Sequence, residues 1–181
     1  SIKSLSGLRV AIQGIGHVGY ALAKRIFDAG GRLWLTDVDS KSLEKAGQEF
    51  NANIVSLDEI YDVDCDVFAP CARGAILNES TIPRLKCKAV VGAANNQLAT
   101  KNDGFRLFER GILYAPDYAV NAGGIINIFV EHEGYRAEKA LSMADGIYHT
   151  MKEIFNRARD SKRPPFIVAD ELAEERLYAK K

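Results

Sequence analysis

Residues 8–19 read LRVAIQGIGHVG, an apolar run that enters three glycines spaced G-x-G-x-x-G at Gly14, Gly16 and Gly19. A short apolar run ahead of glycines reads as a buried strand. Val18, Leu22, Ile26 and Phe27 then recur at helical spacing, and Gly30 and Gly31 end the helix. The spacing alone suits a ligand-free tight turn as well as a phosphate-binding one. Its setting between strand and helix adds weight to the second reading. Gly14 permits the tight turn, Gly16 lets backbone approach a pyrophosphate, and Gly19 lets helix and strand pack closely. The helix start adds unpaired N–H groups and the positive end of its dipole. His17 and Val18 lie in this turn, and His17 reads either as a phosphate contact or as a surface residue.

The second strand, RLWLT at 32–36, runs into Asp37, Val38 and Asp39. Asp37 lies roughly 20 residues beyond the turn, where an acidic side chain accepts hydrogen bonds from the adenosine ribose. It reads alternatively as a helix cap or turn residue. A carboxylate there repels a 2′-phosphate, and Val38 and Asp39 supply no arginine to hold one. The expectation is therefore NAD over NADP.

Farther along, Asp39 or Ser40 can cap a helix through Phe50, and NIV at 53–55 is a short strand. Leu57 to Ile60 reads as a helical turn. DVFA at 66–69 is a strand that Pro70 ends, and AVVG at 89–92 is the next. Phe105 to Arg110 reads as a helix running into a sixth strand at 112–114. Strands alternating with helices imply crossovers and a mostly parallel, doubly wound α/β sheet of Rossmann type. The chain beyond reads as helical only: 121–133, a long amphipathic helix from Ala137 to Arg159, a break at Pro164 and Pro165, and a last helix from Asp170 to Tyr178.

Composition bounds the function. The chain has 181 residues, 47% hydrophobic and 27% charged, with a formal net charge of zero. That suits a globular protein with a real core. Nothing in the charge favours nucleic acid or an anionic membrane as partner, and no apolar stretch is long enough to span a bilayer. Cys65, Cys71 and Cys87 are odd in number and lack C-x-x-C spacing, which argues against a disulfide framework or structural zinc and for reduced thiols in a cytoplasm. No metal site is expected.

Three further blocks are more specific than the glycines: APCARGAILN at 69–78, GAANNQLA at 92–99 and RGILYAPDYAVNAGGIINI at 110–128. In this order after a Rossmann turn, they resemble the glutamate/leucine/phenylalanine/valine dehydrogenase family, and look most like its leucine and valine branch. The resemblance implies a two-domain, oligomeric enzyme that oxidatively deaminates an L-amino acid to a 2-oxo acid and ammonia with NAD. It also implies that a preceding domain carries the catalytic lysine and aspartate. No lysine of this chain sits in the glycine-rich setting that lysine occupies, so no catalytic residue is assigned. The expected division is an NAD-binding domain at 1–135 and a helical segment at 136–181 that packs on it and toward the second domain, through which the subunits would associate. These residues alone are expected to bind cofactor and turn over nothing.

By resemblance, Ala69, Pro70, Cys71 and Ala72 lie with their backbone beside the nicotinamide half of the cofactor. Cys71 reads as a small buried residue rather than a nucleophile, and Arg73 departs from the apolar residue expected there. Ala94 and Asn95 are placed on the nicotinamide side, Asn95 offering both donor and acceptor, while Asn96 suits a turn or a helix cap. Asn121 is placed near the cofactor amide or the substrate. Ile125 and Ile128 share a helix face. Where the glutamate branch has a serine for the substrate's distal carboxylate, this chain has Ile128. An apolar wall cannot pair a carboxylate, so the implied substrate is apolar and branched. The same isoleucines read, without the family, as plain core. Two other readings compete: a free-standing NAD-binding regulatory module without catalysis, and the same enzyme acting on an aromatic amino acid. Exposed Ile167, Val168 or Leu172 would mark a surface facing the second domain.

Overall fold

The computed structural model describes residues 5–132 and 134–179. Ser1, Glu133 and Lys181, which bound some of the expected segments, lie outside the described residues. Six strands form one all-parallel sheet: β1 (Arg9–Gln13), β2 (Arg32–Thr36), β3 (Asn53–Ile54), β4 (Val67–Pro70), β5 (Ala89–Val90) and β6 (Leu113–Tyr114). Their order is β3-β2-β1-β4-β5-β6. The order reverses between β1 and β4, whose register pairs Gln13 with Pro70. A crevice at the carboxyl end of such a switch is where open α/β sheets bind ligands.

Period two along β1 decides the layers. Val10 and Ile12 face one side and Ala11 the other, all buried. The first side packs against α1 (His17–Asp28) and α2 (Ser40–Glu49) through Ala23, Ile26, Leu43 and Ala46. The second packs Phe68 and Val90 against Ile60, Ile82 and Leu107. Ile60 and Ile82 come from 3₁₀ turns (Glu59–Asp62 and Ile82–Arg84), and Leu107 from α3 (Lys101–Glu109). A third cluster joins Met151, Ile154 and Ala158 of α6 (Ala137–Ser161) to Val168, Ala169 and Leu172 of α7 (Pro165–Tyr178).

Several boundaries differ from the sequence expectation. Helix α3 starts at Lys101, not Phe105, because Thr100 and Asp103 form a capping box. Helix α7 starts at Pro165, where proline serves as the first helical residue instead of a breaker. Pro70 belongs to β4, since its position needs only an acceptor: its carbonyl takes the Ala94 N–H at 2.9 Å. The segment expected as one helix from Asn121 is two, α4 (Asp117–Val120) and α5 (Gly123–His132). Val168 and Leu172 are buried and Ile167 is half-buried, so they mark no cut surface.

At the opposite edge, Asp66 accepts from Lys88 Nζ at 2.9 Å, the Arg9 N–H at 3.1 Å and Arg9 Nε at 3.3 Å. The Lys88 ammonium, then the Arg9 backbone and side chain, hold its carboxyl well below the usual carboxylate range. A depressed folded pKa contributes stability that is present above the unfolded value of about 3.9 and is lost as pH falls below it. Acid melts between pH 7 and 2.5 are expected to show a thermal midpoint that drops below about pH 4, and a shallower drop in Asp66→Asn. Parallel curves for the two proteins would remove Asp66 from the acid transition.

Candidate functional site

The glycine turn is locked by its own sterics. Gly14 has φ +100°, and a Cβ there would lie 2.7 Å from Ala72 Cβ and 2.8 Å from the Ala72 nitrogen. A Cβ on Gly19 would lie 2.0 Å from the Gly14 carbonyl oxygen. A Cβ on Gly16 would meet nothing within 4 Å. Gly16 is the N-cap of α1 and has no side chain to cap it, so the first N–H groups of the helix are left to an outside acceptor.

Asp37 braces this turn. One carboxylate oxygen accepts the Ile15 N–H at 2.5 Å, and the other accepts the Asp39 N–H at 2.8 Å. The N-cap of α2 is Asp39, which accepts from Lys41 N at 3.1 Å and Ser42 Oγ at 2.6 Å. Asp37 is therefore a turn residue and not a helix cap. Each of its oxygens keeps a free lone pair, since a carboxylate oxygen can accept more than one bond.

Beyond β4, two loops close on each other. Ala75 N donates to the Asn96 carbonyl at 2.6 Å and Leu77 N to that of Gln97 at 3.0 Å. Ala75 and Asn96 both hold positive φ, 58° and 52°, which confirms the turn reading of Asn96. A Cβ on Gly92 would lie 2.2 Å from the Pro70 carbonyl oxygen. That absence lets the ends of β4 and β5 meet. Cys71 is half-buried against the glycine turn, and burial pushes its thiol up; Cys65 is pushed up to about 12 by the same cause. High pKa values make poor nucleophiles at neutral pH, as the small-buried-residue reading of Cys71 requires.

The α4–α5 break has a direct cause. Asn121 Nδ2 donates to Asn95 Oδ1 at 2.7 Å, and to the carbonyls of Ala93 at 3.3 Å and Ala94 at 3.4 Å. The end of β5 thus holds the chain at Asn121 and turns it. Two residues that the sequence pattern does not single out brace this corner from beneath. Buried Gln97 donates through Nε2 to the carbonyls of Gly92 at 3.0 Å and Ala94 at 2.9 Å. Asp117, also buried, accepts the Gln97 N–H at 3.1 Å and the Tyr118 N–H at 3.0 Å. Both stand inside the three sequence blocks, but polar residues next to glycine and proline read as loop until burial is known.

These elements enclose three hollows along the sheet's carboxyl edge. One, of about 320 Å³, brings Gly14, Asp37, Val38 and Ala72 together with Gln13, Thr36, Tyr61 and Arg73. A second, of about 780 Å³, joins Val18, Asn95 and Asn121 to Ile125, Ile128 and Ile147. Ile125 is 71% exposed and Ile128 65%. Neither belongs to the core of the described residues, and the plain-core reading of the pair falls. His17, exposed, lies apart from Asp37 in a third hollow with Gly16, Tyr20 and Lys45. Ala69, Pro70 and Ala94 are buried behind the edge and offer it only backbone.

The donor set suits a dinucleotide. It has an uncapped helix start under an open glycine, a fixed carboxylate at the end of β2, and a separate cleft past β5 that joins Asn95 and Asn121 to the isoleucines. Among the described residues no cluster of three His, Cys, Asp or Glu side chains is placed to hold a metal, and no helix is long and apolar enough to cross a membrane.

Comparison with known proteins agrees with this architecture. The model of the Glutamate/Leucine/Phenylalanine/Valine dehydrogenase family matches residues 35–163. Leucine dehydrogenase of Thermoactinomyces intermedius is 49% identical over 174 residues, which cover 96% of this chain and 48% of that protein. Phenylalanine dehydrogenase of Lysinibacillus sphaericus is 48% identical over 160 residues, 86% of this chain and 42% of that protein. The crystal structure of L-tryptophan dehydrogenase from Nostoc punctiforme superposes with a TM-score of 0.96 at 42% identity, over 98% of this chain and 54% of that one. The chain spans about half the length of the curated relatives it matches. With its six-stranded parallel sheet and its three sequence blocks gathered on one edge, the chain belongs to the Glutamate/Leucine/Phenylalanine/Valine dehydrogenase family.

Proposed function

We propose that this chain is the NAD-binding part of a cytoplasmic amino-acid dehydrogenase, one that converts an apolar, leucine- or valine-like L-amino acid to its 2-oxo acid and ammonia. The observation that carries this reading is the 780 Å³ cleft, in which Asn95 and Asn121 stand beside two exposed isoleucines next to the glycine turn. A cofactor-sensing module has no use for an apolar wall there. Residues 1–135 form the nucleotide-binding domain, and 136–181 a helical segment directed toward a second domain that supplies the proton-transfer groups and the subunit contacts.

Each residue has a physical role. The amides at the start of α1 take the diphosphate, and Gly16 keeps the way open. Asp37 accepts from the adenosine ribose. Asn121 Nδ2 is occupied by Asn95 Oδ1, which leaves Asn121 Oδ1 to accept from the cofactor and Asn95 Nδ2 to donate to it. When bound, NAD supplies the hydride acceptor. Ile125 and Ile128 exclude water and reject a charged side chain, because an unpaired carboxylate against them loses its hydration without replacement.

A second reading keeps the reaction and changes the substrate to an aromatic amino acid. It is favoured by relatives named phenylalanine and L-tryptophan dehydrogenase at 48% and 43% identity, close to the 49% of a leucine dehydrogenase.

Calorimetry on the chain with NAD and NADP tests the cofactor assignment. NAD is expected to bind, NADP more weakly, and the chain alone to deaminate no amino acid. Absence of NAD binding overturns the reading, and turnover by the chain alone overturns the assignment of catalysis to another domain. In a longer form that includes the second domain, Ile128→Ser is expected to lower kcat/KM for leucine relative to a polar amino acid by about tenfold, or about 1.4 kcal/mol. An unchanged ratio would take Ile128 out of the pocket.

A further inference from the structure

The 320 Å³ hollow carries more chemistry than a ribose needs. Its floor is polar and buried. Gln13 Nε2 donates to the Tyr61 hydroxyl at 2.8 Å, but Gln13 Oε1 and Thr36 Oγ1 have no partner, although Gln13 is 8% exposed and Thr36 1%. Buried polar atoms left unpaired are costly, and this floor is polar where Leu57 and Ile76 are not. Leu57 and Ile76 give the hollow an apolar wall that suits a flat base. Two charges of opposite sign stand on it, Asp37 and Arg73.

They are not an ion pair. Both oxygens of Asp37 are engaged by backbone N–H groups. Arg73 is exposed, and among the described residues it has neither a hydrogen bond nor a salt bridge. It follows Ala72, which touches the space where a Gly14 side chain would be. Among the described residues the guanidinium is thus a free cation beside the glycine turn, lining the same hollow as the carboxylate.

We propose that Arg73 is a cofactor-specificity residue that receives a 2′-phosphate on the adenosine ribose, so that the pocket accepts a 2′-phosphorylated dinucleotide despite Asp37. Arginine is suited to such a contact, because its charge is permanent and its fork matches a phosphate. Asp37 alone repels the extra phosphate, and Arg73 offsets that repulsion. The pocket then prefers NAD by a modest factor instead of excluding NADP. This deepens the NAD assignment under Proposed function and rests on it.

The test uses ADP-ribose and 2′-phospho-ADP-ribose in calorimetry at about 50 and about 300 mM salt, a range over which screening changes strongly. It compares the wild-type chain, Arg73→Leu, Arg73→Lys, Asp37→Asn and the Asp37→Asn/Arg73→Leu pair. Arg73→Leu is expected to leave ADP-ribose within about twofold and to weaken the 2′-phospho form about tenfold or more. Raising salt should then no longer weaken the 2′-phospho form more than ADP-ribose, because the repulsion left from Asp37 is itself screened. Arg73→Lys should recover part of the loss. Asp37→Asn should improve the 2′-phospho form relative to ADP-ribose, and the double variant should lose that gain. An equal loss for both ligands in Arg73→Leu would mean that the guanidinium stacks on the base, and it overturns the proposal, as does no loss for either. Failure of the wild-type chain to bind ADP-ribose strikes the cofactor reading itself, and the proposal falls with it.

Discussion

Gly16→Ala is expected to weaken NAD binding about tenfold or more while the thermal midpoint stays within about 2 °C of wild type; Gly19→Ala is expected to lower both the thermal midpoint and binding. The two glycines belong to one motif but face opposite surroundings. Gly16 has φ −70° and ψ −170°, which alanine adopts without strain, and nothing lies within 4 Å of the added methyl. Its substitution should cost the protein no more than other surface changes, within about 0.5 kcal/mol. If a pyrophosphate sits against this turn, however, the methyl occupies its place. Gly19 is different. Its added methyl would lie 2.0 Å from the Gly14 carbonyl oxygen and 3.0 Å from the Gly14 carbonyl carbon, with Cys71 Cβ at 3.3 Å behind. Backbone cannot rotate out of the way as a side chain can. Overpacking of this kind costs about 3 kcal/mol or more, which lowers the midpoint of a chain this size by about 6–12 °C. Thermal melts with NAD titrations separate the cases. A Gly16→Ala chain that binds NAD as tightly as wild type would show that the open space above the turn belongs to no ligand.

The same contrast shows what is legible in sequence. G-x-G-x-x-G is one pattern, yet only its surroundings separate the glycine that serves packing from the glycine that leaves room. The alternation of apolar runs with helical spacing is enough for six parallel strands, because each of β1, β2 and β4 is an uninterrupted, mostly buried run. Short strands and helix starts are less legible. Strand β5 has two residues, and its partner edge is completed by loop hydrogen bonds, such as that from Ala94 N to the Pro70 carbonyl. The capping box at Thr100 and Asp103 is readable as T-x-x-D, but Gly104 inside the first turn disguises the helix. That glycine is present because its Cβ would lie 2.5 Å from the Phe166 ring, a contact between distant parts of the chain that no local pattern can carry. Among the candidate site residues, Asp37, Asn95, Asn121 and the isoleucines stand out through their motifs. Gln97 and Asp117 escape because their importance comes from burial. Arg73 is visible only as a departure from the expected residue, and its meaning requires the hollow that it shares with Asp37.

At the far end of the edge, Gly92→Ala is expected to unfold the β4–β5 junction, and Asn121→Ala to impair the site without unfolding it. A methyl on Gly92 would stand 2.2 Å from the Pro70 oxygen and 2.5 Å from both its nitrogen and Cδ. Relief requires β4 and β5 to part, which breaks the Ala94 N to Pro70 bond and releases the carbonyls that Asn121 and Gln97 hold. Loss of about 3 kcal/mol or more follows, again as a midpoint shift of about 6–12 °C. Asn121→Ala removes one side chain at a half-buried corner. Its three acceptors include Asn95 Oδ1, which can turn to water, and its cost to stability should stay near about 1 kcal/mol. Its effect on ligands discriminates between roles. ADP-ribose lacks the nicotinamide ring, so loss of a residue that faces the nicotinamide side should weaken NAD by about tenfold and spare ADP-ribose. Equal weakening of both ligands would mean that Asn121 acts by holding the sheet edge in shape. Weakening of neither would leave the cleft beside Ile128 without its polar anchor, and would take the cofactor's reactive end away from the apolar wall on which the amino-acid assignment depends.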